Sequence, residues 1–319
     1  MNIKESKAII VLGMHRSGTS AISGVFSHLG VLMGKKLFKA QKGVNEKGFF
    51  ENSHVVRLNE RLFEKLESSW DDPLGSQKDI MKCDITDELA IAKRLLIREY
   101  DKAIYWGIKD PRTSVLMSFW LKVFADLKVK PHYLIMVRHP MDVFRSLEKR
   151  DKFSIEKSFI LWIHYTLGSF KNYHKDNHSI LIYDNLMNDT ERQIENCLDI
   201  YAPELHSKVT EACAFINVEL RNHSSEDSGN KSKEPICELA LSLYNCVNEF
   251  PVNKQEINDI EVRFQAYLRG LNGVISEHLT VVKREEILYK KLFGEAYNTI
   301  WWNLSWPLRF VERKFRRIR

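Results

Sequence analysis

The chain has 319 residues and a mass of 37.4 kDa, is 44% hydrophobic and 28% charged, and carries a net charge of +6. This composition excludes a disordered chain, a collagen-like fibre and a disulfide-stapled mini-domain, and no uncharged apolar run reaches the ~18 residues that would cross a bilayer. Five scattered cysteines without a C-x-x-C pair predict reduced thiols in a cytoplasmic protein.

The polar start Met1–Lys7 leads into 8–13 (Ala-Ile-Ile-Val-Leu-Gly), which predicts a buried strand ending in Gly13. The apolar run is short and stops at His15-Arg16, so no secretory signal is expected. Residues 19–29 predict a helix, with Ile22, Val25, Phe26 and Leu29 at helical spacing and Gly30 as its stop. Helices are expected over 54–68 and 86–100, a short strand over 103–108, and a helix over 114–126. A buried strand (133–137) follows Pro131, then helices over 141–149 and 154–173, then a strand over 179–183. This alternation predicts an α/β fold: a P-loop-like parallel sheet flanked by helices.

Residues 222–233 carry no apolar side chain and predict a linker or exposed loop. Beyond them the pattern is helical only, over 234–250 and 253–298. The expected organisation is a nucleotide-binding domain over 1–221 and a C-terminal helical appendage over 234–319. The last eleven residues hold six Arg and Lys against Glu312, so most of the net charge lies there and the body is nearly neutral. That distribution disfavours a nucleic-acid coat. Trp301, Trp302 and Trp306 precede the basic run. Indole beside cations suits the headgroup region of an anionic membrane, and equally a helix docked on the core through its Trp side chains.

Gly13-Met14-His15-Arg16-Ser17-Gly18-Thr19-Ser20 lies between a predicted strand and helix, where backbone N–H groups and the helix N-terminus converge on an anion. The spacing is that of a P-loop, but Thr19 occupies the place of the lysine that a nucleoside-triphosphate enzyme uses. Arg16 supplies a cation earlier in the loop. A second phosphate site is predicted where strand 133–137 runs into Arg138-His139-Pro140, with Ser146 two helical turns further on.

The loop Met14–Ser20 resembles the 5′-phosphosulfate loop of sulfotransferases that use 3′-phosphoadenosine 5′-phosphosulfate. Arg138-His139-Pro140-Met141-Asp142 with Ser146 resembles the 3′-phosphate motif of the same family. Asn45–Asn52, Lys109-Asp110-Pro111-Arg112 and Tyr183-Asp184-Asn185-Leu186 are similar to segments of bacterial members, in family order over roughly residues 8–195. The tail Ser305-Trp306-Pro307-Leu308-Arg309 is similar to a segment ending many bacterial glycan-assembly proteins.

The resemblance implies that Arg16, Ser17, Gly18, Thr19, Ser20, Arg138, Ser146 and Tyr183 hold the donor, with Tyr183 beside the adenine. Arg16 and Lys109 would face the transferring sulfuryl group. Glu51 is the first choice for the base, Glu46 the second, and His54 and Asp110 follow. A salt bridge from Glu51 to Lys109 or Arg112 is its alternative role. No metal is implied. The implied acceptor is a hydroxyl or amine, of a cell-envelope glycan or glycolipid, and the implied location is the cytoplasm or the inner face of the membrane. The alternatives are a kinase with Asp110 holding magnesium and a non-catalytic nucleotide-binding module.

Overall fold

The computed structural model describes residues 3–38, 48–75, 78–216 and 234–297. Among them are four strands: β1 (Lys7–Leu12), β2 (Tyr105–Lys109), β3 (His132–Val137) and β4 (His178–Ile182). They form one parallel sheet in the order β2-β1-β3-β4. The order reverses at β1, so the loops after β1 and β3 open side by side at the C-terminal edge, where open α/β sheets bind ligands.

The expected P-loop-like α/β architecture is therefore present. Its helices are α1 (Thr19–His28), α2 (Ser53–Lys65), α3 (Thr86–Tyr100), α4 (Arg112–Val115), α5 (Met117–Leu127), α6 (Pro140–Asp151), α7 (Ile155–Phe170), α8 (Tyr183–Asn188), α9 (Thr190–Tyr201), α10 (Val209–Cys213), α11 (Pro235–Asn248) and α12 (Lys254–Tyr297). Alternate strand residues divide the core. Ile9, Val11, Leu134, Met136 and Leu181 pack with Ile22, Val25 and Phe26 of α1 and with α8–α10. Ile10 and Leu12 bury into the other face, where α7 lies against β3. The five cysteines are free thiols.

Three boundaries differ from the sequence expectation for local reasons. The helix expected over 114–126 is two pieces. Asp110 Oδ1 accepts the Arg112 backbone N–H at 3.1 Å and starts α4 early. Leu116, at φ −100° and ψ 18°, then breaks the helical path before α5. α6 begins one residue early, since Pro140 suits a first turn and the His139 ring accepts from Met141 N. Tyr183 does not end a strand but opens α8.

By packing, the chain divides into Met1–Gln265 and Ala266–Arg319, later than the composition of 222–233 suggests. The polar stretch 222–233 and the tail beyond 297 lie outside the described residues. The helix α11 belongs with the sheet, because Ile236, Leu239, Ala240, Leu243 and Val247 form a buried stripe. The Tyr244 ring meets His139 at 4.9 Å and Trp162 at 6.4 Å.

Candidate active site

The turn after β1 is shaped by two glycines. Gly13 sits at φ +137°, and a Cβ there would stand 2.4 Å from the Met136 carbonyl oxygen of β3. Gly18 sits at φ +93°, and its Cβ would stand 2.7 Å from the Tyr183 ring. Only glycine fits both the backbone angle and the space. Gly13 N donates to Ser114 Oγ of α4 at 2.9 Å, which ties the turn to the next layer. Arg16 itself lies in the left-handed region at φ 68°. The loop then closes onto the N-terminus of α1 at Thr19.

The side chains that the two predicted phosphate motifs contribute meet here. Arg16 Nε donates to Ser146 Oγ of α6 at 2.8 Å, and Arg138 Nη1 donates to the Arg16 carbonyl at 3.3 Å. The Arg138 guanidinium lies 4.2 Å over the Tyr183 ring. Thus Arg16, Arg138, Ser146, Tyr183 and the Ser17–Ser20 turn form one cluster from four separated segments. Neither arginine has a carboxylate partner among the ion pairs of the described residues. The Arg16 pKa is lowered by burial first, then by the charges of Arg150 and Arg138.

Three buried polar atoms of this cluster have no hydrogen-bond partner: Ser17 Oγ, Arg138 Nε and His15 Nε2. Unpaired buried donors cost on the order of 1–3 kcal/mol each. An anion carrying many acceptor oxygens matches the hydroxyl and guanidinium donors.

Lys109, at the end of β2, is 3% exposed and reaches three oxygens. It donates to Ser20 Oγ at 3.1 Å, to the Phe49 carbonyl at 3.1 Å and to Glu51 Oε1 at 2.6 Å. The Glu51–Lys109 salt bridge is thus present, and it places this carboxylate one ammonium away from the turn. Glu46 lies outside the described residues. His54 is partly buried on α2, where its backbone N–H donates to Asn52 Oδ1.

Asp110 is buried and accepts three hydrogen bonds. It accepts from Asn59 Nδ2 at 2.9 Å and from Arg112 Nη1 at 3.0 Å, with no exposure. Burial works against the Arg112 charge, but Asp110 raises its pKa overall. Asp110 therefore positions Arg112. Asn59 continues the network, bonding Thr113 Oγ1 and accepting from Trp120 Nε1 at 2.9 Å.

His15 stands against Trp70 at 4.6 Å and Tyr165 at 5.6 Å between ring centroids. Burial first, then the charges of Arg112, Arg150, Lys109 and Arg16, hold its imidazole well below the ordinary range. In the free protein these causes disfavour a charged His15 imidazole. His139 caps α6 as an acceptor through Nδ1, so that atom does not serve as a phosphate donor.

Sequence reading did not anticipate Trp70, Phe153 or Asn59, nor the place of Arg150 beside them. Arg150 lies 5.7 Å over Trp70, whose ring is 5.8 Å from Phe153. These contacts link loop 66–75 to the end of α6, and no local pattern encodes them. Asn59 alone left a signal: a polar residue flanked by Leu58 and Leu62 on the buried side of an amphipathic helix. Two surface grooves, of about 520 and 490 Å³, are lined by Tyr173, His174 and Lys254 and by Lys7, His132 and Tyr133. Both lie near the N-terminal ends of strands, opposite the glycine turn.

No family model matches the chain, and no curated protein matches it. Similar solved structures include two sulfotransferase domains. One is the sulfotransferase domain from the Synechococcus PCC 7002 olefin synthase, at 12% identity and TM-score 0.41, covering 82% of this chain and 94% of that one. The other is the sulfotransferase domain from the curacin biosynthetic pathway, at 15% identity and TM-score 0.38, covering 82% and 98%. At these scores neither likeness assigns a role to any residue here.

Proposed function

We propose that this chain is a sulfotransferase that uses 3′-phosphoadenosine 5′-phosphosulfate as donor. The observation that carries the reading is the meeting of Arg16, Arg138 and Ser146 beside a glycine turn whose buried donors, Ser17 Oγ and Arg138 Nε, lack partners. The motifs of the sequence resemblance are far apart in the chain, and the fold gathers them. Arg138 and Ser146 would hold the 3′-phosphate and Tyr183 would border the adenine. The turn Ser17–Ser20 and Arg16 would hold the 5′-phosphosulfate.

In the proposed reaction an acceptor oxygen or nitrogen attacks sulfur in line. The new bond to sulfur forms as the bond from sulfur to the bridging oxygen breaks, and the nucleoside bisphosphate leaves with that electron pair. Negative charge develops on the bridging oxygen. Arg16, Lys109 and the backbone N–H groups of the turn stabilise it without reorganisation. Glu51, held by Lys109 at 2.6 Å, receives the acceptor proton. This chemistry calls for no metal. The kinase alternative would rely on Asp110, which is buried and bonded to Asn59 and Arg112.

The proposed acceptor is a hydroxyl or amine of a cell-envelope glycan or glycolipid. The sequence resemblance supports that class. The test is incubation of the protein with donor carrying radiolabelled sulfate and an extract of bacterial envelope glycans and lipids. Label moving into that fraction, and lost in Arg16→Ala, supports the reading. Hydrolysis of ATP by the same preparation, with no label transferred, overturns it.

A further inference from the structure

The unit Ala266–Arg319 holds the whole net charge of the protein. It contains eleven Lys and Arg against five Asp and Glu, a net +6, which equals the charge of the entire chain, so the rest is neutral. Within it, α12 leaves four large apolar side chains in solvent: Val282 at 45% exposure, Leu288 at 54%, Tyr289 at 61% and Leu292 at 49%. At 100° per residue these four fall within about 120° of one another, a single face of the helix. The sequence of the same helix carries Lys283, Arg284, Lys290 and Lys291, and beyond it lie Trp301, Trp302, Trp306 and the basic terminus.

We propose that this unit docks on the surface of an anionic lipid bilayer, with the Val282–Leu292 face of α12 inserted at headgroup depth. An exposed apolar face on a helix that a basic, Trp-bearing segment follows in the sequence is the pattern of an element lying in a membrane interface. No helix of the described residues is long and apolar enough to cross a membrane, which fits a surface placement. The competing occupant is a second copy of the chain. Charge disfavours it, since two units of +6 repel. An anionic bilayer instead attracts that charge, by an amount that salt screens.

The experiment is flotation of the full chain with vesicles of phosphatidylcholine and of phosphatidylcholine mixed with phosphatidylglycerol, at low and raised salt. The expected result is flotation with the mixed vesicles, weakened by salt, and little with the neutral ones. Lys290→Gln with Lys291→Gln weakens binding by roughly tenfold. Leu288→Asp with Leu292→Asp abolishes it, while circular dichroism and the melting temperature confirm that both variants fold. Failure to float with either vesicle overturns the proposal, as does equal, salt-insensitive binding to both. So does a dimer in light scattering that the Leu288 and Leu292 substitutions dissociate.

Discussion

Arg16 and Ser146 are 130 residues apart in the chain and share a hydrogen bond of 2.8 Å. This bond fastens the turn after β1 to the helix after β3, so the two predicted phosphate sites are one structure. Ser146 Oγ accepts from Arg16 and keeps its own proton to give. A hydroxyl bonded to a phosphate is worth roughly 1.5–3 kcal/mol. Ser146→Ala should therefore weaken binding of 3′-phosphoadenosine 5′-phosphate by about 10- to 100-fold. Binding of ADP, which lacks the 3′-phosphate, should change by much less. Calorimetry of both ligands with both proteins checks this, and equal losses for the two would contradict it.

Ligand binding should move a proton at His15. Burial and four nearby cations depress its pKa, and a bound bisphosphate offsets the cations while the burial hardly changes. The imidazole pKa then rises relative to the free protein, while burial, the larger cause, still holds it low. In acid, where the free protein keeps this imidazole neutral, the complex holds a larger share of that proton. Titrations in two buffers of different ionisation enthalpy should give apparent enthalpies that differ with the sign of proton uptake. His15→Asn should erase the difference. Proton release would have the wrong sign for this electrostatic account.

Glu51 has two separable roles. As the base it governs the chemical step, and as the partner of Lys109 it governs stability. Glu51→Gln should lower kcat by roughly 100-fold or more. It should also cost about 3 kcal/mol of stability by leaving Lys109 buried without a counter-charge. Affinity for the bisphosphate should stay within a few-fold of the parent. Unchanged kcat with lowered stability would leave Glu51 as an anchor and shift the proton to another group.

The protein should lose stability in mild acid. Burial holds His132, His164 and His178 down at about 4 in each case. The folded state keeps them neutral, whereas the unfolded chain protonates them near pH 6.5. Stability therefore falls as pH drops from about 6.5 to 4 and is flat above that window. The loss reaches on the order of 3 kcal/mol for a well-buried histidine such as His164. Denaturant midpoints across this range should decline for the parent and less steeply for His164→Gln. A flat profile would count against neutral burial of these rings.

The elements legible in the sequence are those with a local cause. Strands β1 and β3 are uninterrupted apolar runs, and α1 is bounded by Gly18 and Gly30. The residues Arg16, Arg138 and Ser146 are carried by motifs, so they were found before the geometry that joins them. The break at Leu116 was not legible, because no glycine or proline marks it. Nor was the apposition of His15, Trp70 and Arg150, which exists only once α6 and loop 66–75 pack together. The placement of α11 on α7 was hidden for the same reason. A polar stretch precedes it and reads as a domain edge, while its buried stripe finds a partner far back in the chain.

The most direct measurement is calorimetric titration with 3′-phosphoadenosine 5′-phosphate, ADP and magnesium-ATP, for the parent chain and for Arg138→Ala. The guanidinium of Arg138 lies over Tyr183 and against the glycine turn, with a buried N–H that lacks a partner. The account predicts tight binding of the bisphosphate alone, dependent on its 3′-phosphate and lost by roughly 100-fold in the variant. Preference for magnesium-ATP, or bisphosphate binding indifferent to Arg138, would contradict it.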